Sequence, residues 1–317
     1  TGKVLDTGVI YPAPPHNKTA AAAALLKDWV YRHGIEVIAI GNGTASHETE
    51  VFTAGLLKEL AAEGRDGIAY MVVSEAGASV YSASQAAAEE FPAFDVTLRS
   101  AVSIARRLQD PLAELVKIDP KAIGVGQYQH DMPPAKLSAA LDGVVEDCVN
   151  AVGVDVNTAS APLLARVAGI GGAVAKNIVA YREENGAFTS RAQFRKVPKL
   201  GPKAFEQCAG FLRVPESRNP LDHTGVHPES YGAARKLLEV CGLTPRQAQE
   251  EGDDLFRLLQ ERGEASLAAE IGVGVPTLRD IAAELVRPGR DPRDELPPPL
   301  LRTDVLGIED LKPGMEM

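Results

Sequence analysis

The sequence predicts a multidomain chain: an α/β domain, then an all-α region made of a paired helical unit and a small helical domain. Three observations carry this reading. Apolar strand segments and helical segments alternate over residues 1–136, the pattern of a largely parallel sheet covered by helices. From Leu137 onward apolar residues recur at helical spacing. Irregular, Pro- and Gly-rich sequence after Val214 then sets off a third region. The 317 residues allow two or three domains, and 45% hydrophobic residues can fill their cores. The expected boundaries are 1–136, 137–214, 215–300 and a linker over 301–317.

The elements follow in order. Val4–Tyr11 reads as a strand. Thr19–His33 is an Ala-rich helix with Leu25, Leu26, Trp29 and Val30 on one side, and Gly34 is placed to stop it. Val37–Ile40 is a short apolar strand ending in Gly41-Asn42-Gly43. Glu50–Glu63 is a helix stopped by Gly64, and Tyr70–Ser74 is a buried strand. Val102–Leu108 and Leu112–Val116 are helical, with Pro111 at a first helical position. Leu141, Val144, Val145, Cys148 and Val149 mark the first helix of the second region. Residues 215–235 are irregular, short helices fill 237–301, and Pro297-Pro298-Pro299 reads as a stiff linker. Thr1-Gly2-Lys3 reads as a turn whose preceding strand is absent, and Leu311–Met315 as the lead-in to a further domain. The chain is therefore read as a piece of a longer protein.

Composition excludes several classes. Cys148, Cys208 and Cys241 lie far apart and form no C-x-x-C pair, so neither a disulfide framework nor a zinc site is expected. No apolar run reaches the length of a membrane span, and the first residues carry no secretory pattern. A cytoplasmic monomer is expected. Aromatics at 5% argue against a surface built on base stacking.

Net charge is −10, yet it is unevenly spread. Ala151–Val214 holds nine Lys/Arg against four Asp/Glu; the remainder holds 24 basic and 39 acidic residues. Local potential decides where a polyanion docks, so this basic island is the candidate surface.

Within the island, Leu163–Val179 reads as helix, Gly169-Ile170-Gly171 turn, then a new helix opening at Gly172. Glycine lets backbone turn sharply and approach a ligand without a Cβ in the way. The first N–H groups of the new helix have no intrahelical partner and carry the positive end of the dipole, which suits a phosphate. Ile170 anchors the turn, and Lys176 adds charge one turn on. About thirty residues later Phe194–Phe205 repeats the pattern, with Leu200 for Ile170 and Gly201 for Gly171. Lys199 replaces the first glycine there, so the second turn departs from the pattern. Arg195, Lys196, Lys199 and Lys203 supply its charge. Two copies of a helix–hairpin–helix inside the basic island predict sequence-independent contact with an RNA or DNA backbone. Gly272-Val273-Gly274 is similar, but lies among Glu264, Glu270, Asp280 and Glu284 and reads as a plain helix–helix corner.

Val156–Ser160, the first hairpin and Tyr181–Phe188 resemble the tandem helix–hairpin–helix domains of DNA-uptake and transcription-accessory proteins. Gly41–Ser46, Val73–Ser82, Asp119–Asp131 and Asn219–Pro228 resemble the bacterial Tex family. The resemblance implies a YqgF-type domain of ribonuclease-H-like fold, then the hairpin pair and a small helical domain. It also implies a transcription-accessory role, with the transcription machinery as a partner and an OB-fold RNA-binding domain beyond residue 317.

Nucleases of the ribonuclease-H-like class hold two Mg²⁺ or Mn²⁺ ions on three or four converging carboxylates. By that resemblance Glu75 matches a carboxylate ending a strand and Asp110 one beside a late helix, with Asp131 the weaker alternative. The first-strand Asp of the pattern has no counterpart here. Asp110 equally suits an N-cap for the helix opening at Pro111, and Glu75 a partner for the following turn. No resident cofactor is expected, and the domain is read as a binding or scaffolding element. Gly41-Asn42-Gly43-Thr44 reads as a β–α turn, and His223 and His227 as no metal site. Two alternatives stand beside backbone binding: a metal-dependent nuclease of the resolvase class in the intact protein, using Mg²⁺ or Mn²⁺, and a protein-interaction scaffold for the transcription machinery, with the hairpins merely packing.

Overall fold

The computed structural model describes residues 2–124, 126, 129–250, 252–286 and 299–304. Val125, Gln127 and Tyr128 of the Tex-like string, Pro297 and Pro298 of the proline run, and residues 305–317, which include the expected lead-in, lie outside them. The chain forms two compact units, Thr1–Gly126 with Pro297–Met317, and Gln127–Leu296. Among the described residues no helix is long and apolar enough to cross a membrane.

In the first unit β1 (Val37–Gly41) and β2 (Ala69–Val73) pair in parallel, Val37 opposite Ala69 and Gly41 opposite Val73. A parallel pair needs a crossover, here α2 (Ser46–Ala62). Helix α1 (Thr19–His33) precedes β1 and ends as expected, with Gly34 left-handed at φ 63° and its N–H donated to the Val30 carbonyl. Val30, Ile40, Leu56, Leu57, Leu60, Ile68 and Tyr70 form the core between α1, α2 and the strands. After β2 come α3 (Ala78–Ser82), α4 (Gln85–Glu90), α5 (Val96–Gln109), α6 (Pro111–Leu115) and α7 (Pro120–Ile123). Helix α5 packs on both strands.

Two readings change here. Val4–Tyr11 is not in a ladder: among the described residues β1 pairs only with β2. A strand needs a neighbour's backbone, and this segment lies instead on side chains. Gly8 sits against Trp29 and Leu25 closely enough that a Cβ would come within 3.0 Å of the indole. Gly2 accepts a hydrogen bond from Arg106 Nε at 2.8 Å. The second change concerns 301–304, the start of the expected linker. Arg302 bridges to β2, its N–H donating to the Tyr70 carbonyl at 2.8 Å and its carbonyl accepting from Tyr70 N–H at 2.7 Å. Tyr70 Oη donates to the Asp304 carbonyl at 3.0 Å, and Arg302 faces Glu50 at 3.5 Å. The segment covers the free edge of β2, a position that would otherwise expose unpaired backbone groups.

In the second unit α8 (Pro134–Val152) leads into β3 (Val154–Asp155), which pairs in parallel with β4 (Leu212–Arg213). Between them lie α9 (Ala161–Leu164), α10 (Gly172–Asn185), a 3₁₀ turn at Arg191–Lys196 and α11 (Pro202–Cys208). Leu164, Val167, Ile170, Ile178, Phe188, Phe194, Leu200 and Phe205 are among its buried side chains. Then come α12 (Tyr231–Cys241), α13 (Pro245–Glu250), α14 (Gly252–Arg262), α15 (Glu264–Ile271) and α16 (Val275–Val286), around Leu237, Leu255, Leu267, Leu278 and Ile281.

Arg191 joins these parts. Only 2% of it is exposed. Its guanidinium donates to the carbonyls of Leu212 (3.0 Å), Leu221 (3.3 Å), Val226 (2.7 Å) and Thr224, and to Tyr231 Oη (2.7 Å). Asp222, also buried, accepts from the Arg191 backbone N–H, Ser217, Asn219 and Tyr231. A buried cation with several acceptors is tolerated; acceptors stripped of it are not.

Arg191→Ala is expected to lower unfolding free energy by about 3–5 kcal/mol, measured by denaturant unfolding. Arg302→Pro removes the N–H that donates to the Tyr70 carbonyl and keeps the carbonyl that accepts from the Tyr70 amide; with one of the two bonds of the bridge gone, hydrogen exchange at the Tyr70 amide is expected to speed up about tenfold, the worth of about one hydrogen bond, with other β2 amides little changed.

Candidate nucleic-acid interface

The two hairpins share one backbone. Gly169 has φ 79° and Lys199 φ 66°, both left-handed. Ile170 N–H donates to the Val167 carbonyl at 3.0 Å, and Leu200 N–H to Val197 at 3.2 Å. Gly171 (φ −81°, ψ 163°) and Gly201 (φ −76°, ψ 170°) then cap α10 and α11. Their carbonyls accept the first helical bonds, from Ala175 and Phe205, each at 2.9 Å. The departure read at Lys199 is thus one of residue type and not of geometry. A left-handed lysine is costly, and burial of Val197 and Leu200 on either side holds it.

The glycines do different jobs. At Gly169 the positive φ favours glycine, and a Cβ would lie 2.6 Å from Gln207 Cβ and 3.1 Å from the Ala204 carbonyl oxygen. Its role is to seat the first turn on α11. Gly171, Gly172 and Gly201 have no such need: a Cβ on any of them would meet nothing within 4 Å. What they leave bare is backbone facing outward at a helix start. No side chain caps α10 or α11, so the amides of Gly172, Ala173 and Val174, and of Lys203 and Ala204, have no helical acceptor. Pro202 removes one amide from the second hairpin.

Exposed charge rings these turns. Lys176, Arg195, Lys196, Lys199 and Lys203 are all exposed, and the Arg195 guanidinium stacks on Phe205 at 4.6 Å. Four further cations of the basic island are committed within the fold. Arg191 is buried; Arg166 pairs with Asp142 at 2.7 Å; Arg182 donates to the Val156 carbonyl at 2.6 Å. Arg213 is 9% exposed, and burial beside the Arg191 charge pulls its guanidinium down to about 10. Counting charge along the sequence therefore overstates the island's exposed positive charge, because burial cannot be read from residue type alone. Sequence reasoning also missed Asn177, whose Nδ2 donates to the Pro198 carbonyl at 2.7 Å, and Gln207 beneath Gly169. Each lies six residues after its capping glycine, a shared offset that the repeat contains.

The corner at Gly272–Gly274 has related geometry, with Gly272 at φ 88° and the Gly274 carbonyl accepting from Leu278 N–H at 3.0 Å. Its charge differs: Arg279 is held by Glu264 at 2.5 Å.

Comparison with known proteins agrees with this layout. A family profile described as "Tex protein YqgF-like domain" matches residues 1–109, "Helix-hairpin-helix motif" matches 149–213, and "HHH domain" matches 219–293. "Protein tex" of Bordetella pertussis is 54% identical over 99% of this chain and 39% of its own length. "Transcriptional accessory protein Tex" of Neisseria gonorrhoeae is 53% identical over 99% of this chain and 40% of its own. The chain belongs to the Tex family. Human "S1 RNA-binding domain-containing protein 1" is 38% identical over 99% of this chain and 36% of its own length. This Tex-family chain thus spans about two fifths of the curated relatives it matches. The last profile covers the Gly272–Gly274 corner, which the sequence reading had kept apart from the hairpins.

In the YqgF-like domain of this Tex-family chain, Glu75 and Asp110 each make local contacts. Among the described residues no group of three or more His, Cys, Asp or Glu side chains could hold a metal ion. Asp110 Oδ1 accepts from Ala113 N–H at 3.1 Å and caps α6. Glu75 folds over the β1–α2 turn: a Cβ at Gly41 would collide with its carboxylate, and one at Gly43 would lie 3.0 Å from it. Its N–H donates to Asn42 Oδ1 at 2.9 Å. Beneath the turn, Arg107 donates to the Ser74 and Ala76 carbonyls at 2.7 and 2.8 Å. A buried cation there disfavours a second one, so the residues present do not fit a two-metal site.

Gly169→Ala is expected to lower stability by about 2–4 kcal/mol, from left-handed strain and overlap with Gln207. Gly171→Ala is expected to stay within about 0.5 kcal/mol of the parent. Thermal unfolding of both variants checks the contrast.

Proposed function

We propose that this chain binds the sugar–phosphate backbone of RNA or DNA without reading sequence, as part of a transcription-accessory protein. The observation that carries the reading is the bare Gly171–Gly172 backbone at the start of α10, where neither dihedral angle nor packing calls for glycine. A phosphate is the ligand such a helix start suits, and Lys176, Arg195, Lys196, Lys199 and Lys203 surround it with charge. The helix–hairpin–helix match over 149–213 and the names of the Tex relatives support the same reading. Contacts of this kind fix position and leave bases unread.

The test is a salt titration of binding to single- and double-stranded DNA and RNA. If these five cations each neutralise one phosphate, log K should fall against log salt with a slope of about −3.5 on single strands and −4.5 on duplex DNA. The triple variant Gly171→Asp/Lys199→Glu/Lys203→Glu should lose this binding. A flat salt response, or equal binding by the variant, refutes the proposal. Gly171→Ala alone should weaken binding several-fold while remaining as stable as the parent.

A further inference from the structure

The hairpins are joined by a reciprocal contact. Asn177, on the second helix of the first hairpin, donates through Nδ2 to the Pro198 carbonyl at 2.7 Å, at the turn of the second. Gln207, on the second helix of the second hairpin, lies beneath Gly169 at the turn of the first. Both stand six residues beyond the capping glycines, Gly171 and Gly201, so the contacts are related by the repeat itself. Pro198 immediately precedes Lys199, whose left-handed backbone sets where that exposed lysine leaves the surface. Whatever holds the Pro198 carbonyl therefore holds Lys199 and, two residues past Gly201, Lys203. Asn177 sits on the helix whose first amides are the bare ones, so it ties those amides to those lysines.

We infer that Asn177 and Gln207 are positioning residues, which lock the Lys199–Lys203 turn to the Gly171–Val174 helix start so that both act on one nucleic-acid backbone. Neither needs to touch the ligand. Without the lock, each lysine keeps its charge, but the ligand must order the second turn as it binds, which cuts the effective concentration of the second set of contacts. This inference rests on the proposed backbone binding and adds to it a requirement for fixed geometry.

The test compares the parent chain with Asn177→Leu, which keeps the side chain's size and removes the donor, and with Gln207→Ala, which removes the side-chain amide beside Gly169 and keeps the Cβ packed there. Binding of a 20-nucleotide RNA and a DNA duplex of about the same length is measured across a salt series. Amide NMR with inorganic phosphate reads Gly172 alone. Both variants are expected to bind the long ligands about tenfold more weakly, with a slope shallower by about 1–2, the share of Lys199 and Lys203, although no charge has been removed. The phosphate shift at Gly172 should match the parent's. If the parent binds and both variants keep its affinity and slope, the positioning role is overturned while backbone binding stands. If the parent itself shows no salt-dependent binding, the functional reading falls and this role with it. Should Asn177→Leu fail to fold, Gln207→Ala decides alone.

Discussion

The helical unit depends on one buried guanidinium. Arg191 leaves the short 3₁₀ turn between the hairpins and reaches into the segment that follows them, where Leu221, Thr224 and Val226 present carbonyls. The Thr224 and Val226 carbonyls are available because that part of the segment is irregular, since in a helix they would be committed to N–H groups four residues on; the Leu221 carbonyl, in a 3₁₀ turn, also accepts from Thr224 N–H at 3.2 Å. Irregular backbone and buried cation thus require each other. Asp222 takes up the remaining donors from Ser217, Asn219 and Tyr231. The hairpin pair and the first helix of the next bundle are anchored in the same polar knot, which holds them only while every partner is present.

That knot leaves the hairpins free to be plain on the outside. Their buried anchors, Ile170 and Leu200, fix two turns of matching geometry, and their capping glycines face open space. Rigid packing below and bare backbone above is the arrangement electrostatic recognition of a phosphate asks for, since amides already aimed need no reordering on binding. The third corner shares the turn but not the charge. Gly272 repeats the left-handed turn, but its surround is acidic and its arginine is occupied.

The α/β unit follows another economy. Its described sheet has two strands, one edge of β2 covered by Arg302, and its strand ends are packed with their own side chains. Glu75 lies over two glycines and Arg107 supports the turn from below. The point where parallel strands end is where α/β folds bind ligands. Here that point is closed by internal contacts.

The sequence by itself determined the order of elements, the two hairpins and their likeness to the Tex family, because these depend on local signals. Helix α1 runs from Thr19 to a left-handed Gly34 as its sequence states, and the repeat of Gly-Ile-Gly by Lys-Leu-Gly is visible in the letters. The Pro111 beside Asp110 offered the cap as one of two readings of that carboxylate, and the hydrogen bond from Ala113 N–H is the one seen. Only tertiary structure decided what depends on residues far apart in the chain. Val4–Tyr11 has strand composition but no partner strand among the described residues, and Arg302 has linker composition but a partner 232 residues away in Tyr70. Arg191 and Arg213 look like surface charge and are buried, since burial belongs to the surroundings and not to the residue. Lys199 looks like a break in the motif and is none, because packing on both sides imposes the backbone a glycine would adopt freely.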